Sequence, residues 1–401
     1  MKGYKIRMKK VGIVSCYFKS NYGSVLQAYA TQKVLDDACI PNETINVEHN
    51  FDFKKGKRKY YIQQITNFHF IKEKMGMVKL KVDKIIDKNL RRNIEIREKK
   101  YKEFRKEIRL SQSFYSYQEL TKWTKEHYNH VIVGSDQLWL PVNVVSNYYT
   151  LNWVPNEINK ISLATSFGFN TIDKKYDSQY ADFLSRINYL STREQSGIEI
   201  IQRITNRQAK LACDPTLLLS KKEWETIIPE QRIIKEPYIF CYFLGKNIEH
   251  RKFAERLKKY TGYKIVSINH ADEYVKYSDI FADVIPYDIG PKEWINLIKN
   301  AEYVCTDSFH GTVFSLIFNK AFFNFRRYSS KSKVSTNSRL DSLLNTVHVS
   351  KERLLSGKED IREVVSYSID YIDVNKHLEL LREDTKQWLF GALGEDSIYE
   401  K

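Results

Sequence analysis

Short runs of apolar and small residues alternate along the chain with longer segments whose apolar positions recur every three or four residues. The runs are VGIVSC (11–16), VIVGS (131–135), ISLATS (161–166), KLAC (210–213), YIFCYF (238–243), KIVSI (264–268) and AFFNF (321–325). Being apolar at consecutive positions, they predict strands covered by helices on both faces, and their alternation with helical segments predicts parallel sheets of βαβ units. Pro215, Pro229 and Pro237 interrupt the pattern after Cys213 and a second strand–helix series opens at Tyr238, so a domain boundary is expected at about 220–237. The chain then divides into an N-terminal α/β domain over 8–225, a C-terminal one over 235–350, and a closing segment 351–401, whose stretch 374–392 reads as a helix packing back on the first domain. Within 54–109, Met75, Val78, Val82, Ile85, Tyr101, Phe104 and Ile108 keep the helical step and predict one or two amphipathic helices inserted in the first domain.

The length of 401 residues allows two domains and a sizeable core. With 42% hydrophobic and 13% aromatic residues the chain is not disordered, and 15 Gly with 8 Pro exclude fibrous classes, which leaves a globular enzyme or binding protein. Cys16, Cys39, Cys213, Cys241 and Cys305 are scattered and form no C-x-x-C pair, which argues against a disulfide framework or a zinc ribbon and fits a reducing compartment. The opening MKGYKIRMKKVGIVSC has too short an apolar stretch for a signal peptide, and no window approaches the ~18 apolar residues of a spanning helix. A cytoplasmic location is expected. Met1 and Met8 are both candidate starts, because the fold pattern begins only at Lys10.

The net charge of +16 changes the picture through its location: residues 54–109 hold 20 basic and 7 acidic side chains, a net +13. A solvated helix face explains this, and so does peripheral contact with an anionic membrane at the inner face of the plasma membrane. No zinc finger, RNP motif or similar signature supports nucleic acid.

Five segments carry candidate chemistry. In KVGIVSCYFKSNYGSVLQAYA, a strand leads through a polar turn into a helix, and the loop at a parallel strand's carboxyl end opens on the ligand crevice. Asn21, Tyr22, Gly23, Ser24 and Gln27 are thereby placed where a substrate would sit, although Asn21 serves equally well as a cap of its own turn. HVIVGSDQLWLP delivers Ser135, Asp136 and Gln137 to the same edge, where Asp136 holds a sugar hydroxyl, acts as a base, or caps the turn. Trp139 is either core or a stacking platform for a sugar ring. ISLATSFG ends a further strand with small hydroxylated residues, and YLSTREQSG sets Arg193 and Glu194 at a strand-to-helix turn, where cleft arginines bind anions. In LIKNAEYVCTDSFHGTVFSLIF, a strand EYVCT leads through the turn DSFHGT into a helix, so His310 and Gly311 lie beside a helix N-terminus flanked by Asp307, Ser308 and Thr312, a setting that favours phosphate or carboxylate.

Taken in order, NYG-x-VLQAYA, VIVGSDQLW, S-x-x-TSFG, S-x-REQSG, DPTLLL, LIKNAEYVCTDSFHGT-x-FS and NSRLDSLL resemble the polysaccharide pyruvyl transferases, from about Lys10 to about Asn345. The resemblance implies two Rossmann-like domains facing a cleft, as in GT-B glycosyltransferases. It also implies transfer of the enolpyruvyl group of phosphoenolpyruvate to two hydroxyls of a sugar in a cell-surface polysaccharide (exopolysaccharide or capsule) or its lipid-linked precursor, giving a pyruvate ketal and phosphate. Phosphoenolpyruvate is then a co-substrate, and no other cofactor is expected. His310 and Arg193 match the family's donor-site histidine and upstream arginine, so the catalytic candidates are His310 and Asp136. The donor candidates are Arg193, Ser308, His310, Gly311, Thr312, Arg326 and Arg339, and the acceptor is expected on the N-terminal domain, with Asn21, Tyr22, Gly23, Gln27, Ser135, Asp136 and Gln137 as its candidate contacts.

One departure is that many members have Asp-Arg-Leu-His-Gly where this chain has Asp307-Ser308-Phe309-His310-Gly311. Arg326, Arg327, Lys331 and Arg339 are the downstream cations able to replace the missing arginine. Two other readings compete: a GT-B glycosyltransferase using a nucleotide sugar, weakened by the lack of a C-terminal Glu-x-x-x-x-x-x-x-Glu pattern, and a non-catalytic glycan-binding protein of the same fold. The nine His are dispersed and form no H-x-x-x-H or H-x-H pair with carboxylates, so no metal site is expected, and nothing in the sequence sets the oligomeric state.

Overall fold

The computed structural model describes residues 10–64, 87–269, 275, 277–327 and 338–394. Met1, Met8, Asn337, Lys331 and the insert positions Met75, Val78, Val82 and Ile85 lie outside the described residues. Among the described residues, strands β1 (Lys10–Val14), β2 (Asn42–Asn46), β3 (Leu110–Ser113), β4 (Tyr128–Val133) and β5 (Asn159–Ser162) form a parallel sheet in the order β3-β2-β1-β4-β5. A short parallel pair, β6 (Ser191–Thr192) and β7 (Lys210–Leu211), follows. The second sheet holds β8 (Tyr238–Tyr242), β9 (Lys264–Ser267), β10 (Tyr303–Thr306), β11 (Ala321–Phe325) and β12 (Leu354–Leu355) in the order β12-β11-β10-β8-β9, again parallel. The protein is α/β, with two Rossmann-like domains.

Each sheet reverses its winding once, between β1 and β4 in the first and between β8 and β10 in the second. Ligands of open parallel sheets bind beyond the strands' carboxyl ends at such switch points. The register makes both ends flush: Val14 lies opposite Val133, and Thr306 opposite Tyr242.

Four strands fall outside the apolar runs: β2, β3, the Ser-Thr pair of β6 and the Leu-Leu pair of β12. β2 (NETIN) and β3 (LSQS) are largely polar, and the two-residue β12 joins the second sheet by pairing Leu355 with Phe325. The start of the closing segment therefore belongs to the C-terminal domain. The helix Tyr371–Leu393 bridges both domains. At its start the Tyr371 hydroxyl donates to the Lys320 carbonyl, while further along Arg382 Nε donates to the Leu217 carbonyl at 2.8 Å and the Cys213 N–H donates to Thr385 Oγ1 at 3.0 Å.

The insert contributes the helices Phe51–Gln63 and Lys88–Arg105. The second does not present a wholly basic outer face. Arg97 is buried and donates to the Asn269 carbonyl, Lys100 pairs with Glu293 at 2.7 Å, and Tyr101 and Phe104 enter the core. Cations of the insert thus tie the two domains together. Tyr22 does the same beside that helix, packing on Tyr101, stacking on Trp294 (5.1 Å between centroids, 7° between planes) and donating its hydroxyl to the Ile289 carbonyl at 2.9 Å. One apolar cluster runs from Val11 and Leu26 through Trp224 and Trp294 to Phe390, so the domains share a continuous core.

Candidate active site

The N-terminal wall is made where β1 and β4 end. Asn21 caps the helix Tyr22–Asp37 by accepting from the Ser24 N–H at 3.2 Å, which fixes the first turn and directs Ser24 Oγ onto Asp136 Oδ2 at 2.5 Å. Asp136 sits at φ +82°, a conformation unfavourable for a side chain with a Cβ, and is held there by Ser24, the Cys16 thiol at 3.2 Å and its Oδ1 contact with the Gln137 N–H at 2.7 Å. Burial acts to raise the Asp136 carboxyl. The charges of Lys19, Arg193 and His310 and the Ser24 hydrogen bond outweigh it, so the group stays below the usual carboxylate range. Burial, with Asp136 beside it, pushes the Cys16 thiol up to about 12, so it remains a neutral donor.

The C-terminal wall is made where β8 and β10 end. Asp307 follows β10 and accepts from the Leu244 and Gly245 N–H groups after β8, at 2.6 and 2.8 Å, locking the two strand ends together. Ser308 caps the helix Phe309–Ile317 by accepting from the Gly311 N–H at 3.3 Å, so His310 stands in the first turn at the positive end of the helix dipole. Arg327, just beyond β11, donates to the Asp307 carbonyl at 3.2 Å. Arg339 comes from the helix Ser338–Thr346; burial and the nearby Arg193 push its guanidinium down to about 9, still protonated at neutral pH.

Asp214 joins the two walls. Its Oδ1 caps its own turn through Thr216, while Oδ2 receives the Ser135 hydroxyl and Arg193 Nη1, each at 2.7 Å, and lies 3.5 Å from His310 Nε2. The Arg193 and Arg339 guanidiniums lie over the Phe309 ring at 4.3 and 5.9 Å. Gly23 faces the His310 imidazole so closely that a Cβ there would fall 1.9 Å from Nδ1, which explains why this first-turn position has no side chain.

A cavity of about 560 Å³ opens between the walls. Of the residues picked out in the sequence, Asn21, Ser24, Asp136 and Gln137 line it from one side and Ser308, His310 and Arg339 from the other. The rest lie behind the lining. Arg193 has a side chain only 1% exposed and is engaged with Asp214; Tyr22 is the interdomain wedge; Gln27 is buried against the Ser24 carbonyl; Ser135 is turned to Asp214. Gly311 and Thr312 serve the helix start, Thr312 Oγ1 reaching Asn324 at 2.7 Å, and Arg326 pairs with Asp341 at 2.9 Å. Trp139 is core, fully buried with its indole N–H on the Tyr149 carbonyl. Of the cations considered for the missing arginine, Arg327 and Arg339 reach the cavity.

Lining residues that the sequence did not mark are Phe18, Lys19, Ser20, Glu98, Leu140 and Leu244. Glu98 comes from the insert and accepts from Ser20 Oγ at 2.7 Å, and Arg105 donates to the same hydroxyl at 3.0 Å. Lys19 and Ser20 lie in the polar turn that the sequence marks, directly before Asn21, but nothing in their spacing set them apart.

Two Rossmann-like domains with their switch points opposed across a cleft define a GT-B-like protein. The chain belongs to the polysaccharide pyruvyl transferase family, whose sequence model matches residues 21–330. No curated protein matches it in sequence. Among solved structures it is similar to a UDP-N-acetylglucosamine 2-epimerase from Rickettsia bellii, with a TM-score of 0.50 and 10% identity over 96% of this chain and 97% of that one. It is also similar to the S. aureus MnaA–UDP co-structure, with a TM-score of 0.52 and 11% identity over 97% of this chain and 98% of that one. At such identities the likeness concerns the fold alone.

Proposed function

We propose that the chain transfers the enolpyruvyl group of phosphoenolpyruvate to two hydroxyls of one sugar in a cell-surface polysaccharide or its lipid-linked precursor. The observation that carries this reading is the cavity's division: Arg327, Arg339 and His310 gather about the N-terminus of the helix Phe309–Ile317, and Asn21, Asp136 and Gln137, with Lys19 beside them, line the facing wall. The first group suits a phosphate and a carboxylate on one small donor, and the second suits a diol. In the reaction both sugar oxygens bond to the donor's C2 and the C2–O bond to phosphate breaks. One hydroxyl proton goes to the methylene carbon, making a methyl group, and the other leaves with phosphate.

His310 is the proton-transfer group, its Nε2 facing the Asp214 carboxylate in the manner of an oriented acid–base imidazole. A carboxyl held below its usual range is a weak base, so Asp136 orients a sugar hydroxyl rather than deprotonating it. The test is phosphate release from phosphoenolpyruvate with and without a sugar acceptor. Phosphate release that requires both substrates is the expected result; release of a nucleoside diphosphate from a nucleotide sugar instead, or no turnover with any donor, would overturn the reading.

Among the described residues no helix is long and apolar enough to cross a membrane. We also propose peripheral contact with anionic lipid through the helix Phe51–Gln63, where exposed Lys54, Lys55, Arg58 and Lys59 accompany exposed Tyr61 and Ile62. Each such cation near an anionic surface is worth about 1 kcal/mol, so co-sedimentation with anionic vesicles should fade with added salt. Equal recovery with neutral vesicles would count against it.

A further inference from the structure

Outside the cavity, His348, Asp373 and His377 come together although 25 or more residues separate the first from the others. Asp373 and His377 are one turn apart on the helix Tyr371–Leu393. His348 follows the helix Ser338–Thr346, at φ +57°, and its two neighbours Val347 and Val349 are buried at 0% and 5% exposure, which pins the loop that carries it. The imidazoles lie with centroids 3.6 Å apart and planes 34° apart. His348 Nδ1 is 3.2 Å from Asp373 Oδ2 and His377 Nδ1 is 3.3 Å from Asp373 Oδ1, and the three groups each offer a ligand atom within 4.8 Å of the others.

Two imidazoles and a carboxylate are the donor set of borderline divalent metals. A tetrahedral ion with bonds of about 2.0–2.1 Å holds neighbouring ligand atoms about 3.3 Å apart, the separation already present between each ring nitrogen and the carboxylate. We propose that His348, Asp373 and His377 bind one divalent transition metal ion of the zinc type, with water completing its shell on the side where His348 is exposed. Ligation through His377 Nδ1 breaks its hydrogen bond with the Asp373 carbonyl, 2.9 Å away, and leaves the imidazole proton on Nε2. Because the helix Tyr371–Leu393 touches both domains, the ion rivets this bridging element to the C-terminal domain at its first turn. The site is independent of the transferase reading and takes no part in the chemistry of the cleft.

The test is calorimetric titration of the chelator-treated full chain with zinc chloride, together with cobalt(II) absorption and thermal unfolding with and without zinc. One ion per chain, tetrahedral-type cobalt bands and a zinc-dependent rise of the unfolding midpoint are expected. Loss of a partner that merely orients a ligand costs ~10–100-fold in affinity, so Asp373→Asn and His377→Ala, which remove ligands, should weaken zinc by at least about 100-fold. His348→Asn should do the same without harming the fold, since Asn tolerates the left-handed backbone. No saturable binding by the unmodified chain, or binding equally tight in all three variants, would overturn the proposal.

Discussion

One oxygen of Asp214 receives the Ser135 hydroxyl and the Arg193 guanidinium and faces His310, so a single buried charge serves both the fold and the site. Burial acts to raise this carboxyl, but the charge and hydrogen bond of His310, the charge of Arg193 and the Ser135 hydroxyl hold it well below the usual carboxylate range. A carboxyl depressed on folding contributes stability above its unfolded value, about 4, and that contribution is lost as pH falls below it. The protein should therefore lose stability below about pH 4. Asp214→Asn should flatten that loss and, by removing the 2.7 Å charge-assisted hydrogen bond from Arg193, which keeps Asp136 and Glu194 at 3.8 and 3.9 Å, lower stability at neutral pH by about 1.5–3 kcal/mol. Urea unfolding across the acid range checks both; an unchanged acid slope would contradict the assignment. At Gly23, an added methyl group would displace the His310 ring. Gly23→Ala is expected to lower turnover by about 10²-fold or more in a protein with unchanged circular dichroism, and normal turnover would separate the ring's position from the reaction. Arg193 illustrates how far single residues are legible. Its place at a strand-to-helix turn marks it in the sequence, but the partner that claims it lies 21 residues on, in a motif read only as DPTLLL.

At the scale of elements, the strands flanking both switch points were legible because burial on both faces leaves unbroken apolar runs: β1, β4, β8 and β10 are buried over nearly their whole length. β2 and β3 were not, since β3 is a partly exposed edge strand and β2 carries Asn42 and Thr44 inside, the latter hydrogen-bonded to Gln32 at 2.9 Å. Such satisfied polar groups erase the hydrophobic signal without weakening the strand. The cations proposed to bind the donor show the same limit, because Arg326 and Arg327 are adjacent in sequence yet only the second reaches the cavity. A charge-assisted hydrogen bond contributes about 1.5–3 kcal/mol, so Arg327→Ala and Arg339→Ala should each raise the KM for phosphoenolpyruvate by about 10- to 150-fold. Arg326→Ala, which removes only the pair with Asp341, should leave it within about twofold, as an exposed ion pair is worth at most ~1 kcal/mol. A larger effect at Arg326 than at Arg327 would reverse this assignment.

At the scale of the whole molecule, the cleft is held by contacts outside it: the Tyr22–Trp294 stack, the Lys100–Glu293 pair and the helix Tyr371–Leu393. Removing the buried ring in Tyr22→Ala should cost about 3–5 kcal/mol in unfolding free energy. It should also weaken phosphoenolpyruvate binding, although Tyr22 does not line the cavity, because the two walls would no longer be fixed relative to each other. Unfolding and donor titration measured on the same variant check this, and full donor affinity in a destabilised protein would show that the walls act separately.

The product tests the proposed transfer most directly. Phosphoenolpyruvate labelled with ¹³C at C2, incubated with the protein and a sugar acceptor, should give a quaternary ketal carbon and one phosphate per ketal by magnetic resonance, and His310→Ala should give neither. A labelled product that keeps its enol carbon, that carries no sugar, or that forms equally well with His310→Ala would contradict it.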